Sequence, residues 1–323
     1  MLRTAICDLL KIDVPIVQAG MGSGFTSAEL AAAVTNAGAL GSLGTGNRPL
    51  DDVRRQLLRL GDLAHGPYAV NHMVTVLDEA AFAATLDARP RVVVFALADA
   101  GDLVRRAHDA GALVMQQVCT VAQACEAAEG GADVIIAQGG ESGGFGGTVS
   151  TMTLVPQVVA AVHPLPVIAA GGITDGRGLA AALMLGAAGV NIGTRFLASQ
   201  EAPVSAAWKQ TILSAASEDA VKVDFWNDIS PLPGAPGYGT VPRALNTPFI
   251  ERWLGRRDEA RRDATELLAE FGAAAGAGRM HEYMPFAGQS AGAIREVKPA
   301  AEIVREIAAE AEELLLRAAS FVS

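Results

Sequence analysis

Eight apolar segments of four to seven residues occupy the first 200 residues, and each is followed by a segment with helical periodicity. The apolar segments are continuous and do not alternate with polar residues, which is typical of parallel strands covered on both faces. Such a chain folds into a (β/α)8 barrel or into a doubly wound open sheet. The predicted strands cover residues 14–18, 40–43, 68–71, 91–97, 113–118, 134–137, 166–170 and 190–193.

Glycine-rich turns follow four of these strands and favour the barrel. The longest covers residues 138–147 after strand six and contains six of the 35 glycines. Shorter turns follow strand one at Gly20, strand seven at Gly171 and Gly172, and strand eight at Gly193. Strands one and eight are neighbours only in a closed barrel, where the four turns lie close together. We therefore predict a TIM (β/α)8 barrel whose bare backbone N–H groups hold one large ligand.

The turns after strands seven and eight have the composition of a phosphate site. Gly171, Gly172 and Gly193 expose backbone N–H groups, and Thr194 adds a hydroxyl. Barrels often bind phosphate with the loops after these two strands. Arg195 supplies a positive charge nearby, although a salt bridge away from the site is an equal explanation for it.

Amide side chains stand where a barrel has its active face. Asn71 ends strand three and Gln138 ends strand six. Amides both donate and accept hydrogen bonds, which suits the ribityl hydroxyls or the pyrimidine edge of a flavin, but they also cap loops. Gln116 and Gln117 lie in strand five, where only one of them faces the interior, and the sequence leaves open which one.

The pattern changes after residue 200. We predict that residues 1–200 form the barrel core and that residues 201–323 form a lid loop and a helical extension packed on the barrel, without a core of its own. Residues 229–247 contain four prolines and several turn signals, which predicts a long loop and not a strand. Helices are predicted over 202–217, 248–254, 256–271 and 299–321, with a small-residue linker over 272–278.

Composition excludes several function classes. The chain has 323 residues, a formal charge of −10 and a pI near 5.0, which argues against nucleic acid as a partner. It has neither an uncharged apolar run of about 18 residues nor a signal-peptide core, so no membrane contact is expected. Three cysteines without metal-ligand spacing predict reduced thiols, no metal site and a cytoplasmic location.

Taken together, five motifs resemble the nitronate monooxygenase (2-nitropropane dioxygenase) family, to which the flavin-dependent enoyl-ACP reductases are related. The resemblance spans nearly the whole chain except residues 229–247. The motifs are Pro15-Ile16-Val17-Gln18-Ala19-Gly20-Met21, Gln138-Gly139-Gly140-Glu141-Ser142-Gly143-Gly144, Ala169-Ala170-Gly171-Gly172-Ile173, Asn191-Ile192-Gly193-Thr194-Arg195-Phe196 and Ala287-Gly288-Gln289-Ser290-Ala291-Gly292.

This resemblance implies a TIM barrel that holds non-covalent FMN and oxidises alkyl nitronates with O2. Backbone groups of Ala19, Gly20 and Met21 would line the flavin ring. The other FMN-binding residues implied by position are Asn71, Gln138, Gly143, Gly171, Gly172, Asn191, Gly193 and Thr194.

Phe145 departs from the family pattern. Members usually have a histidine at this position, assigned as the base that removes the α-proton of a neutral nitroalkane, and phenylalanine cannot move a proton. A nitronate is already deprotonated and needs no base. His72 is a candidate replacement, although strand alternation turns it away from Asn71, and Tyr238 and His281 could reach the site from the extension.

Other functions fit the same glycine turns. Hydride transfer from NAD(P)H to FMN needs no acid at position 145, so a reductase acting on a quinone or an enoyl substrate remains an alternative, although the enoyl role is weakened if that position supplies a proton. A barrel that binds flavin without catalysis, or a biosynthetic enzyme with an unusual pocket, would look similar. The segment Gly20-Met21-Gly22-Ser23-Gly24 only weakly resembles a dinucleotide-binding turn. The charged last helix suits a homodimer contact or a solvated face equally.

Overall fold

Eight parallel strands form a barrel, as predicted. The computed structural model describes residues 2–232, 237–318 and 320. The strand order is β1-β9-β8-β6-β5-β4-β3-β2, and a parallel bridge between Val17 and Leu40 joins the two ends. The barrel strands are β1 (Ile16–Gln18), β2 (Gly41–Gly44), β3 (Tyr68–Met73), β4 (Val92–Ala96), β5 (Leu113–Val118), β6 (Val134–Gln138), β8 (Val167–Ala170) and β9 (Gly189–Ile192).

Helices surround the barrel and continue into the extension. A helix follows each barrel strand, as the helical periodicity predicted, and α2 begins where Ser27 accepts a hydrogen bond from the Leu30 N–H. The helices are α1 (Ala5–Leu10), α2 (Ala28–Asn36), α3 (Leu50–Leu63), α4 (Glu79–Asp87), α5 (Asp102–Asp109), α6 (Val121–Glu129), α7 (Thr151–Val162), α8 (Gly176–Met184), α9 (Thr194–Leu197), α10 (Ala206–Ser214), α11 (Trp226–Ile229), α12 (Pro248–Trp253), α13 (Arg257–Arg262), α14 (Ala264–Gly276) and α15 (Ala300–Ala318).

Aliphatic side chains fill the barrel interior, and α1 closes its lower end. Ile6 and Leu10 of α1 belong to the same buried cluster as Val17, Val94 and Ile168 of the strands. Thr4 donates a hydrogen bond to the carbonyl of Ala188, which precedes β9, so α1 lies at the N-terminal ends of the strands. Access from below is therefore blocked, and the opposite end is left for a ligand.

A small antiparallel sheet lies beside the C-terminal end of the barrel. It contains β7 (Gly144–Gly146), β10 (Ala220–Lys222) and β11 (Val241–Leu245), in the order β10-β11-β7. The prediction that residues 229–247 contain no strand is therefore wrong. Pro242 lacks an N–H, yet its carbonyl accepts a hydrogen bond from Val223, so the chain still pairs there. Residues 233–236 of the same predicted lid loop lie outside the described residues.

The extension differs from the sequence prediction in two further ways. It has a buried cluster of its own, which includes Phe225, Trp226 and Phe249. The predicted linker at 272–278 is mostly helical, because α14 continues through three alanines to Gly276 and buries Ala274. The last helix, α15, packs its apolar face against α8 and α2, and the predicted end of this helix at Phe321 is outside the described range.

Within residues 2–232, 237–318 and 320, no helix combines the length and the apolar composition needed to cross a bilayer.

Candidate functional site

Four amide side chains form a layer at the C-terminal end of the barrel interior. Strand register identifies them, because residues directly opposite each other on paired strands face the same side. Their partners include Val94, Ile136 and Ala170, which belong to the interior cluster. The four amides are Asn71, Gln117, Gln138 and Asn191.

Hydrogen bonds connect part of this layer. Gln117 Nε2 donates to Gln138 Oε1 at 3.1 Å, and the Cys119 thiol lies 3.5 Å from the same oxygen. Gln117 is therefore the interior member of the pair that the sequence left undecided. Gln116 faces the helices, where its Nε2 donates to the carbonyl of Ala98 at 2.9 Å and lies 3.3 Å from the Tyr238 hydroxyl.

Asn71 and Asn191 have different partners. Asn71 Nδ2 donates to the Gly20 carbonyl at 2.8 Å and so fixes the turn after β1. That turn must be glycine, because a Cβ at position 20 would lie 2.6 Å from Asn71 Cβ and from Ser42 Oγ. Asn191 Oδ1 is buried and has no hydrogen-bond partner among the described residues. An unpaired buried acceptor is costly unless a ligand satisfies it.

Asn191→Leu is expected to stabilise the ligand-free protein by about 1–2 kcal/mol, because it removes this unpaired acceptor, while weakening cofactor binding about tenfold. Urea unfolding and flavin fluorescence titration measure the two effects. Asn36→Leu is the matched control: both ends of the Asn36 amide are bonded, to Leu63 and His65, so this change should destabilise. Equal stability losses in both variants would contradict the assignment of Asn191.

The glycine turns after β8 and β9 differ in how closely their backbone is packed. Gly171 and Gly172 have φ values of +98° and +74°, in the left-handed region that favours glycine. A Cβ at Gly172 would lie 3.6 Å from Glu141 Cβ, and one at Gly193 would lie 3.7 Å from Ala19 Cβ and Met21 Sδ, so both would fit at ordinary van der Waals distance. Thr194 Oγ1, beside them, accepts a hydrogen bond from the Gly288 N–H at 2.9 Å. The extension therefore contacts the turns directly.

The glycine-rich stretch after β6 is also attached to the extension. A Cβ at Gly143 would lie 2.6 Å from the backbone of Ala287 and Gly288, so the two segments touch backbone to backbone. The Gln289 N–H donates to the Glu141 carbonyl at 2.9 Å. Two of the five sequence motifs, distant along the chain, thus form one wall of the candidate site.

His72 lies apart from the amide layer. Its ring is 2% exposed, its nitrogens contact Thr45 Oγ1 and Thr85 Oγ1 at 2.9 and 3.0 Å, and it packs edge-on against Phe82. Burial lowers the pKa of His72 to about 4, so the ring is neutral at pH 7. Its orientation toward the helices gives it no contact with Asn71 or Gln138 through the interior.

The other candidate proton carriers are also displaced from the interior. Tyr238 donates its backbone N–H to the Leu97 carbonyl and meets Gln116 on the outer side of β5, where burial raises the pKa of its hydroxyl. His281 lies in the short turn Met280–Glu282 of the extension.

Phe145 is part of an aromatic row between the barrel and the extension. Its ring centroid is 6.4 Å from that of Phe286, which is 6.2 Å from that of Phe25 in the loop after β1. No group in this row carries a titratable proton. The three rings provide an apolar wall next to the glycine turns.

Three cationic side chains surround the site, and the sequence pointed only to Arg195. Arg195 is buried and donates to the carbonyls of Ala198 and Glu296, so it anchors the segment before α15. Arg243 donates to the Gly140 carbonyl through Nε and Nη2 at 3.2 and 2.9 Å. Lys222 donates to the carbonyls of Gly146 and Val241, at 2.8 Å each. No sequence motif marks Lys222 or Arg243, because β10 and β11 pair with residues far along the chain.

Solved structures with a similar fold include a FabK and a nitroalkane oxidase. FabK from Thermotoga maritima superposes with a TM-score of 0.89 at 34% identity, over 100% of both chains. The nitroalkane oxidase from Streptomyces ansochromogenes superposes with a TM-score of 0.83 at 28% identity, over 96% of this chain and 98% of that one.

Curated relatives have two different activities. The (3aS,4S,5R,7aS)-5-hydroxy-7a-methyl-1-oxo-octahydro-1H-indene-4-carboxyl-CoA dehydrogenase of Mycobacterium tuberculosis is 42% identical over 68% of this chain and 62% of its own length. The dehydrogenase of the same name from Rhodococcus jostii is 40% identical over 77% of this chain and 67% of its own. The probable nitronate monooxygenase of Staphylococcus saprophyticus is 32% identical over 68% of this chain and 75% of its own.

The sequence profile described as nitronate monooxygenase matches residues 3–85 and 75–310, which covers most of the chain. The motifs that surround the amide layer and the glycine turns all fall within these matched ranges. This chain therefore belongs to the nitronate monooxygenase family of oxidoreductases.

Proposed function

We propose that this protein is an FMN-dependent oxidoreductase that oxidises alkyl nitronates, with O2 as the electron acceptor. Family membership supports a flavin cofactor. The choice of substrate rests on Phe145, which packs against Phe286. Oxidation of a neutral nitroalkane would need a proton-removing histidine at position 145. A nitronate arrives already deprotonated, so a site without a base at position 145 suits it.

The residues at the barrel mouth fit FMN. The unpaired Asn191 Oδ1 and Ser142 Oγ are buried acceptors without a protein partner in the described chain, and a ribityl chain offers hydroxyl donors for them. The backbone N–H groups of the glycine turns after β8 and β9 suit a phosphate group. We assign FMN binding to Ala19, Gly20, Met21, Asn71, Gln138, Gly143, Gly171, Gly172, Asn191, Gly193 and Thr194.

The chain itself would position the substrate and exclude water. Bound FMN supplies the capacity to accept electrons from the substrate and to pass them to O2. Phe25 and Phe286 would hold the alkyl part of the nitronate against an apolar wall, and Phe145, which also packs against the core of the extension, would complete the edge of that wall through its contact with Phe286. Residues 1–200 would hold the cofactor and residues 201–323 would cover it, which is supported by the contacts of Gly288 with Thr194 and of Arg243 with Gly140.

A second candidate is hydride exchange with an acyl thioester. The dehydrogenases of Mycobacterium tuberculosis and Rhodococcus jostii, at 42% and 40% identity, favour it because their names specify a CoA thioester. With an enoyl thioester as acceptor, NADH or NADPH would supply the hydride. This chemistry also moves a proton at the α-carbon, and Phe145 cannot provide it.

An anaerobic titration of the flavin-loaded protein distinguishes the two candidates. Ethyl nitronate, nitroethane, NADH, NADPH and a saturated acyl-CoA are added separately while the flavin absorbance is followed. We expect bleaching by ethyl nitronate and recovery on admission of O2. Bleaching by NADH, NADPH or the acyl-CoA, with ethyl nitronate inert, would replace the first candidate by the second. A protein that cannot be loaded with FMN would refute both.

Phe145→His is expected to raise the rate with neutral nitroethane about 100-fold, because general-base catalysis contributes on that scale, and to leave the rate with ethyl nitronate nearly unchanged. Stopped-flow flavin reduction measures both rates. Phe145→Leu serves as the control, since it also disturbs the contact with Phe286 but adds no base. If nitroethane remains inert while FMN is bound, position 145 does not reach the substrate.

A further inference from the structure

We propose that Lys222 binds the negative charge of the substrate: its ammonium group donates a hydrogen bond to a delocalised oxyanion. The nitronate group and the enolate oxygen of a thioester share this chemistry. The inference deepens the proposed function and rests on it, since it names the residue that recognises the anionic group.

The small sheet directs Lys222 toward the barrel. In the strand register, Lys222 of β10 lies opposite Arg243 of β11, and Arg243 lies opposite Gly144 of β7. The three residues therefore share one face of the sheet. Ala220 and Leu245 lie on that face too, and both belong to the cluster around the barrel strands. The opposite face carries Phe145 and packs against the core of the extension.

The Lys222 ammonium group lies near the amide layer and has one N–H that is not used in a hydrogen bond. Lys222 Nζ uses two of its three N–H bonds for the carbonyls of Gly146 and Val241. Gly146, one of these two partners, packs against the amide layer, because a Cβ at position 146 would lie 3.5 Å from Gln138 Oε1. A third acceptor for Nζ is not found among the described residues. A substrate held over Gln138 would supply it.

The electrostatic environment favours an anion at this point. Neither Lys222 nor Arg243 forms an ion pair with a carboxylate in the parts of the chain that the structure describes. Burial and the neighbouring Arg243 lower the pKa of Lys222 to about 8, while Cys119 acts in the opposite direction. Glu141, which interacts with Arg243, is itself held by Thr151. A half-buried ammonium without an ion-pair partner loses part of its hydration, and an incoming oxyanion would offset that loss.

Arg243, the neighbouring cation, has a structural role. All three of its nitrogens are engaged with backbone carbonyls: Nε and Nη2 with Gly140, and Nη1 with Ala220. The guanidinium therefore holds the glycine-rich stretch in place. These bonds use three of the five guanidinium N–H groups and fix Arg243 at the glycine-rich stretch, whereas Lys222 keeps one unused N–H at the end of a flexible side chain.

The first test measures anion binding without turnover. The chain has four lysines, Lys11, Lys209, Lys222 and Lys298, so protein labelled with 13C at lysine Cε gives four signals that substitutions can assign. We expect the Lys222 signal to titrate near pH 8 and to shift on addition of nitrate, a planar oxyanion that is not a substrate. Nitrate should also raise the pKa of Lys222. An unresponsive Lys222 signal, with FMN bound, would overturn the inference.

The second test compares Lys222→Met with Lys209→Met, a partly buried lysine that donates to Gln200 outside the site. A hydrogen bond to a charged group is worth about 1.5–3 kcal/mol, so Lys222→Met should raise the nitrate Kd and the KM for ethyl nitronate roughly tenfold to 100-fold. Lys209→Met should stay within twofold of the unsubstituted protein. A Lys222→Met protein that retains FMN and behaves like Lys209→Met would overturn the inference.

The third test uses pH and Lys222→Arg, which keeps the charge at all working pH values. The native protein should bind nitrate below pH 8 and release it as the pH rises above 8, because the ammonium form is lost. Lys222→Arg should bind nitrate equally at pH 7 and pH 9. Loss of binding above pH 8 in both would overturn the inference. If the native protein turns over neither a nitronate nor a thioester, the proposed function fails, while the nitrate titration still decides the role of Lys222.

Discussion

Gly143→Ala is expected to weaken binding of the proposed FMN cofactor while leaving the barrel folded. The added Cβ would lie 2.6 Å from Ala287 C and Gly288 N, which are backbone atoms that cannot rotate away. The glycine-rich stretch and the Ala287–Gly292 motif would have to separate, at a cost of about 1–3 kcal/mol. Because each 1.4 kcal/mol is a factor of ten in affinity, we expect FMN binding to weaken roughly tenfold to 100-fold. Equilibrium dialysis against FMN measures the effect.

Gly272→Ala is the control for this variant. Position 272 lies inside α14, and no atom lies within 4 Å of its added Cβ. This variant should keep its FMN and gain slightly in stability, because alanine is the better helix former. Normal FMN affinity in Gly143→Ala would mean that the two motifs are free to move apart without affecting the site.

Gly41→Ala is expected to cause the largest loss of stability of any single glycine substitution in β2. Its Cβ would lie 1.9 Å from the Ala31 carbonyl oxygen and 2.8 Å from Thr35 Oγ1, so α2 would have to move away from the strand. A loss of about 3 kcal/mol or more in the free energy of unfolding follows from overpacking of this severity. Gly61→Ala in α3, with no atom within 4 Å, should be neutral or stabilising. Urea unfolding measures both variants, and equal urea midpoints would contradict this explanation.

The barrel could be predicted from the sequence because each strand is buried on both faces. Val92–Ala96, for example, is apolar throughout, and every residue of it is buried. Strands one and eight are neighbours only in a closed barrel, so the glycine turns after strands one, six, seven and eight predicted that the sheet closes. The small sheet had no comparable signal, because β11 begins in a proline-rich segment and pairs with Gly144–Gly146 far along the chain.

The candidate site was predictable only in part, for a related reason. Asn71 and Gln138 end predicted strands and so were expected at the active face, whereas Asn191 was implied only by the family resemblance. Gln117 could not be separated from Gln116, because the phase of inward and outward residues depends on how β5 pairs, and it is the pairing with Ile136 that faces Gln117 inward. The sequence did not indicate a role for Lys222, because the carbonyls that accept its hydrogen bonds are 76 and 19 residues away along the chain.

Closure of the barrel has a consequence for how the protein forms during synthesis. β1 obtains its partner β9 only when Val190 is available to pair with Ile16, about 170 residues later in the chain. At a translation rate of 5–20 residues per second, roughly 10–35 s pass between the emergence of these two strands from the ribosome. During that interval the growing sheet keeps two unpaired edges, which can pair with another nascent chain. Slow translation or neighbouring ribosomes on one message should therefore increase aggregation more than they would for a helical protein of the same length.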